Sequence, residues 1–191
     1  MADEQQQAGQ TTPREQPEPL YSLIAIGASA GGIEAITTVL GALPAGFPVP
    51  IVIAQHLDPA RPSHLANILA RQTPVTVRLV SDVAHLDPGT VYVVPSDRDV
   101  EISDHEVSVR PGAASSRPSI NRLLSSAARV YGERLIAVIL TGTGSDGAAG
   151  AREVKAAGGM VIIEDPATAA FPGMPRSLAP TTVDIVAHLD Q

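Results

Sequence analysis

Tyr21-Ser22-Leu23-Ile24-Ala25-Ile26-Gly27-Ala28-Ser29-Ala30-Gly31 is the stretch that decides the fold. The run up to Ile26 is apolar and of strand length. It then breaks into Gly-x-Ser-x-Gly, and residues 33–43 follow as a helix stopped by Pro44 and Gly46. A strand, a glycine-rich corner and a helix, in that order, open an α/β unit. A serine held on such a corner stands above the carboxyl end of a sheet, with helix-start N–H groups nearby to receive negative charge.

Outward from this corner the pattern keeps alternating. Residues 51–54 read as a buried strand, 62–72 as a helix with Pro62 in its first turn, and 75–80 as a strand. The middle changes character: 90–94, 99–103 and 106–110 are short runs separated by Pro-Ser-Asp and Asp-His, which predicts an antiparallel hairpin insertion. A helix then begins near Arg117-Pro118-Ser119, with Ile120, Leu123, Leu124, Ala127 and Ala128 at helical spacing. Residues 135–140 have no polar interruption, as expected of a central parallel strand. A helix at 147–157, a strand at 160–163, a short helix near Pro175 and a strand at 183–186 complete the chain. The fold class is therefore α/β: a doubly wound, mostly parallel sheet flanked by helices, with a small antiparallel hairpin insertion. Such sheets bind ligands outside the carboxyl ends of their strands, at the topological switch point.

Composition bounds the function. The chain has 191 residues, enough for one domain with a sizeable core. Residues 1–20 are polar and acidic and read as a disordered tail or linker, leaving 21–191 as the folded domain. Hydrophobic residues make up 44%, yet no apolar run approaches the roughly 18 residues that span a bilayer. The N-terminus lacks the basic and apolar regions of a secretory signal, so membrane insertion is not expected and a cytoplasmic location is. There is no cysteine, which excludes disulfides, thiolate metal sites and a cysteine nucleophile. With a net charge of -7, a single lysine (Lys155) and no basic stripe, nucleic acid is not an expected partner. Aromatic residues at 3% also argue against a stacking ligand site.

Three residues with matching chemistry fall at strand ends: Ser29, His56 after 51–54, and Asp146 after 135–140. A serine, a histidine and an aspartate are the parts of an acyl-transfer site. Gly-x-Ser-x-Gly alone leaves three readings: a nucleophile, a phosphate or nucleotide turn, and a purely structural corner. The dinucleotide fingerprint requires glycine where Ser29 stands and an acidic residue at the end of the second strand, where this chain has Gln55-His56, so the nucleophile is favoured. His56 reads either as a base or as a satisfied strand-end histidine. His64, His85, His105 and His188 read as surface residues, and no ligand set for a metal is evident. In Thr141-Gly142-Thr143-Gly144-Ser145-Asp146-Gly147, Asp146 reads equally as the cap of the following helix and as the carboxylate that holds His56. Backbone N–H groups near Thr143 could receive an oxyanion. Arg176 reads either as a surface charge or as a residue at the rim of the cleft, the first being favoured.

The motifs together are more specific than any one of them. Ile26-Gly27-Ala28-Ser29-Ala30-Gly31-Gly32, Gln55-His56, Arg117-Pro118-Ser119, Leu140 to Gly147 and Gly173-Met174-Pro175-Arg176, in this order, resemble the catalytic domain of CheB-type chemotaxis protein-glutamate methylesterases over about residues 21–190. The resemblance implies Ser29 as nucleophile, His56 as general base and Asp146 as its orienting carboxylate, with Ala30 and Thr143 supplying backbone N–H groups to the oxyanion. It implies hydrolysis of glutamate γ-methyl esters on the helical cytoplasmic region of a chemoreceptor, where many family members also deamidate glutamines. No cofactor and no metal are implied, and a receptor methyltransferase is a further expected partner. Other readings of the chain are a non-catalytic interaction domain of a receptor signalling system and a nucleotide-binding α/β domain. The chain departs from the family pattern at Ala30, often threonine there, and at Thr143, often methionine. Family enzymes also commonly carry an N-terminal receiver domain, whereas the tail of about 20 residues is too short for one. The expectation is a stand-alone esterase domain or a piece of a longer protein.

Overall fold

A computed structural model describes residues 19–58, 63–111 and 118–189. In chain order the elements are β1 (Leu23–Ala28), α1 (Gly32–Gly41), β2 (Ile51–Gln55), α2 (Leu65–Gln72), β3 (Thr76–Leu79), β4 (Val83–His85), β5 (Thr90–Val93), β6 (Arg98–Ser103), β7 (Glu106–Pro111), α3 (Ile120–Tyr131), β8 (Leu135–Ile139), α4 (Ala148–Ala156), β9 (Met160–Glu164), α5 (Gly173–Arg176) and β10 (Ile185–Ala187). Seven strands form one parallel sheet in the order β10-β9-β8-β1-β2-β5-β3. From β1 the chain winds outward to β2 on one side and later returns to β8 on the other. The switch point thus lies between β1 and β8, and Ser29 follows β1 directly.

Side chains of β1 alternate between two cores, as the two-residue period of a strand requires. Leu23 and Ala25 pack with Leu123 and Leu124 of α3 and Ala151 and Val154 of α4. Ile26 and Ala28 face the other way, onto Ala35, Ile36 and Leu40 of α1 and Leu65 and Leu69 of α2. Each of the larger side chains is completely buried, contributing about 1.5–3 kcal/mol against an exposed reference. Because both faces are covered, the central strands read as unbroken apolar runs.

The insertion differs in membership from the sequence expectation. The run at 90–94 is not part of it: β5 pairs in parallel with both β2 and β3. The antiparallel sheet has the order β4-β7-β6. Its β4 is a short, largely exposed strand that the apolar pattern did not mark. This sheet rests on α3, where the Ser126 hydroxyl accepts the Ile102 N–H at 3.0 Å. The helix expected at 62–72 begins at Leu65; Pro62 and Arg117 lie outside the described residues, as does nearly all of the tail expected at 1–20. Among the described residues, no helix is long and apolar enough to cross a membrane.

Candidate active site

Parallel pairing brings the nucleophile and base candidates to adjacent positions. The β1–β2 register ends at Ala28 opposite Gln55, so Ser29 and His56 are the next residues on each strand. Backbone hydrogen bonds continue past the strands: His56 N–H donates to Ala28 O (3.0 Å), Leu140 N–H to Gly27 O (3.0 Å) and Ser29 N–H to Thr141 O (3.0 Å). The chain leaves β1 through a tight corner in which Gly32 N–H donates back to Ser29 O at 2.9 Å. Gly31 adopts the left-handed conformation there (φ 76°), which glycine reaches without steric cost. The first glycine of the motif admits a neighbour instead: a Cβ at Gly27 would collide with Ile120.

His56 Nε2 lies 2.9 Å from Asp146 Oδ2, joining two residues that are 90 positions apart in sequence. Both side chains are mostly buried. The Asp146 carboxylate also accepts the N–H groups of Ile120 (Oδ2, 2.8 Å), Asn121 (Oδ1, 2.9 Å) and Gly147 (Oδ1, 3.0 Å). Burial pushes its pKa up, but the hydrogen bonds from His56, Asn121 and Ile120 outweigh this and hold it below the ordinary 3.8. Asp146 therefore holds His56 and caps a helix, but the helix it caps is α3 rather than the following α4. The first turn of α4 is served by Asn121 Oδ1, which accepts Gly147 N–H (3.1 Å) and Gly150 N–H (2.8 Å). The two helices thus cap one another.

Among the described residues, the Ser29 hydroxyl has no hydrogen-bond partner, and the N–H groups of Ala30 and Thr143 have no acceptor. Ser29 and Ala30 are partly exposed and Thr143 is exposed. Uncommitted N–H groups beside a serine are what an oxyanion site requires. Thr141 organises the ground between them. Its Oγ1 donates to Ala30 O (3.1 Å) and accepts Phe171 N–H (2.8 Å), and its N–H donates to the Glu164 carboxylate (2.7 Å). Burial raises the Glu164 pKa above its ordinary 4.5, although the Thr141 N–H works against the rise. The Gly173-Met174-Pro175-Arg176 segment supports the same loop through Met174 N–H to Gly142 O (2.8 Å), while Arg176 is exposed. Phe171 is an exposed aromatic at the rim. A separate hollow of about 290 Å³ is lined by Ile33, Leu57, Leu65 and Ile68 together with the polar Asp58, Ser63 and His64.

His64, His85 and His105 are exposed and His188 is partly so. None of them approaches the Ser29 corner through a hydrogen bond among the described residues. No group of three His, Asp or Glu side chains among the described residues could hold a metal ion. Sequence reasoning gave no role to Glu164 or Asn121. Glu164 carried a signal, an acidic residue closing the apolar strand Met160–Glu164. Asn121 carried none, since its partners lie 26 and 29 residues away.

The family model described as CheB methylesterase matches residues 24–191. The chain belongs to the CheB methylesterase family. A putative protein-glutamate methylesterase/protein-glutamine glutaminase of Leptospira interrogans is 38% identical over 175 residues, covering 90% of this chain and 91% of that protein. The protein-glutamate methylesterase FrzG of Myxococcus xanthus is 39% identical over 163 residues, covering 84% of this chain but 49% of that protein. The crystal structure of the Thermotoga maritima CheB methylesterase catalytic domain superposes with a TM-score of 0.81 at 34% identity, covering 89% of this chain and 94% of that one. Membership in this family makes the chain a hydrolase with the fold of the CheB catalytic domain.

Proposed function

We propose that the domain formed by residues 21–191 hydrolyses glutamate γ-methyl esters on a protein substrate through Ser29, His56 and Asp146. The observation that carries this reading is the 2.9 Å contact between His56 Nε2 and Asp146 Oδ2, on a histidine placed one residue beyond the last β1–β2 pair and so beside Ser29. Because Nε2 is committed to Asp146, Nδ1 is the nitrogen that faces the reaction. His56 Nδ1 takes the Ser29 proton as Oγ attacks the ester carbonyl carbon. The tetrahedral oxyanion is received by the N–H groups of Ala30 and Thr143. The C–O bond to the methoxy group then breaks, His56 returns the proton to that oxygen, and methanol leaves. Water, deprotonated by His56, cleaves the glutamyl-serine ester and restores Ser29. Asp146 fixes the imidazole tautomer and stays ionised, helped by its lowered pKa.

Ser29 and His56 are not hydrogen-bonded in the resting site, a common state that tightens when substrate binds. The same acyl-enzyme forms from a glutamine amide with loss of ammonia, in keeping with the second activity in the name of the Leptospira relative. The substrate we propose is the methylated helical region of a chemoreceptor, with the exposed Phe171 as apolar ground for a helix.

The test is methanol release from a methylated receptor fragment. Ser29→Ala is expected to lower the rate by about 10³-fold or more with the fold intact, as in other triad deletions. Near-normal release from that variant would end the triad reading.

A further inference from the structure

Gln55 belongs to the Gln55-His56 motif, yet the mechanism leaves it idle. Its side chain is 2% exposed. The two hydrogens of Nε2 go to two carbonyl oxygens, Ser29 O at 2.7 Å and His56 O at 3.0 Å. Among the described residues, this nitrogen is the sole hydrogen-bonded link between Ser29 and His56. The last ladder bond, from His56 N–H to Ala28 O, stops one residue short of the serine.

Two observations distinguish this arrangement from simple space filling. Ser29 O already accepts the Gly32 N–H, so it does not need Gln55 to satisfy it. Gln55 Oε1 is buried with no hydrogen-bond partner, a destabilising state that methionine or leucine in the same space would avoid. The oxygen occupies the notch above Gly32, where any Cβ would collide with it. A buried carboxamide with an orphaned oxygen is thus kept where its nitrogen spans the nucleophile and the base.

We infer that Gln55 is a positioning residue that sets the distance between Ser29 and His56 by bridging their backbone carbonyls. The inference rests on the reading of Ser29 as nucleophile and His56 as base. The bridge fixes two strand ends that otherwise part beyond Ala28, and misplacement of reacting groups by about 1 Å costs on the order of 100-fold in rate. Substrate-contacting groups lie elsewhere, on Ala30, Thr143 and the rim, so substrate affinity does not depend on the bridge.

The experiment compares the unsubstituted protein with Gln55→Met, which keeps the volume and removes the donor, and Gln55→Glu, which keeps the shape and puts an acceptor where the donor was. Each is assayed for kcat and KM of methanol release from a methylated receptor fragment, and for the rate of Ser29 modification by a fluorophosphonate, which needs an activated serine but no receptor. Folding is followed by circular dichroism on the same samples. The expected result is a fall in kcat of about 10–100-fold in both variants, KM changed by less than about twofold, and slower Ser29 modification in proportion. Equal rates in Gln55→Met and the unsubstituted protein overturn the inference, as does a loss confined to KM. A chain that unfolds with either substitution assigns Gln55 to the fold and overturns it too. If the unsubstituted protein neither releases methanol nor reacts with the fluorophosphonate, it is the triad reading that fails.

Discussion

At 27–32 the chain passes from β1 into α1 in a tightly packed corner, whereas at 141–147 it passes from β8 toward α4 in a longer loop with one open flank. In the first, a Cβ at Gly27 would strike Ile120 and one at Gly32 would strike Gln55. In the second, Gly142 is walled in by Met174 and Ser29, but a Cβ at Gly144 would meet nothing within 4 Å. Residues 143–145 are exposed. Ser29, the proposed nucleophile, therefore sits on the more tightly packed part of the site, and Thr143, the proposed oxyanion donor, stands in the exposed part of the other loop. The Ser29 corner is fixed by packing. The other loop is fixed at its ends, by Glu164 and Phe171 around Thr141 and Gly142 and by the helix caps around Asp146.

This contrast breaks first at the residues that join the two turns. His56→Ala and Asp146→Asn are each expected to lower the methanol-release rate by about 10³–10⁴-fold, and adding Ser29→Ala to His56→Ala should lower it little further, because the three act as a unit. A second full loss in the double variant would show that they act separately. Next comes the proposed oxyanion donor on the open loop. Thr143→Pro removes the N–H and should cost about 10²–10³-fold in kcat, while Thr143→Ala retains it and should leave kcat within about twofold. Equal losses would move the role from the backbone to the threonine side chain.

Stability measurements sharpen the packing contrast. Gly32→Ala forces a methyl group against Gln55 and Ala28 and should cost about 1–3 kcal/mol in denaturant unfolding, together with much of the activity. Gly144→Ala meets no neighbour and should cost only the left-handed backbone penalty, about 1–2 kcal/mol at φ 84°, with activity largely kept. Equal losses of activity in the two variants would erase the distinction between the turns.

The smallest effects are in the pH dependence of stability, where the two carboxylates act in opposite directions. Asp146 is held below 3.8, so its contribution is complete above that value and is lost as pH falls through its lower folded value. Glu164 is held above 4.5, so its contribution is present below that value and is lost as pH rises through its higher folded value. Melting curves over pH should show Glu164→Gln more stable than the unsubstituted protein near neutrality, the gap closing in acid. Asp146→Asn should show a weaker acid limb. A gap for Glu164→Gln that widens in acid would reverse the assignment.

Much of this was legible in the sequence for physical reasons. Strands buried on both faces appear as continuous apolar runs, so β1, β2 and β8 could be placed within a residue or two, and Ser29 and His56 followed as the first residues beyond them. Partner choice was not legible. Thr90–Val93 has the same short apolar look whether it pairs within a hairpin or in the main sheet, and only the register with β2 and β3 decides. The double duty of Asp146 was hidden because a cap is ordinarily sought on the helix that follows, while its partners on α3 stand 25 and 26 residues earlier. Glu164 was passed over because nothing local tells a buried strand-end carboxylate from a surface one.

The reciprocal capping of α3 and α4 ties wear of the enzyme to its shape. The carboxylate that orients His56 also ends the helix beginning at Ile120, and the amide of Asn121 ends the helix beginning at Ala148. Fraying at the start of α3 therefore also loosens the hold on His56, so loss of ester hydrolysis and loss of the helix signal are expected to coincide on heating.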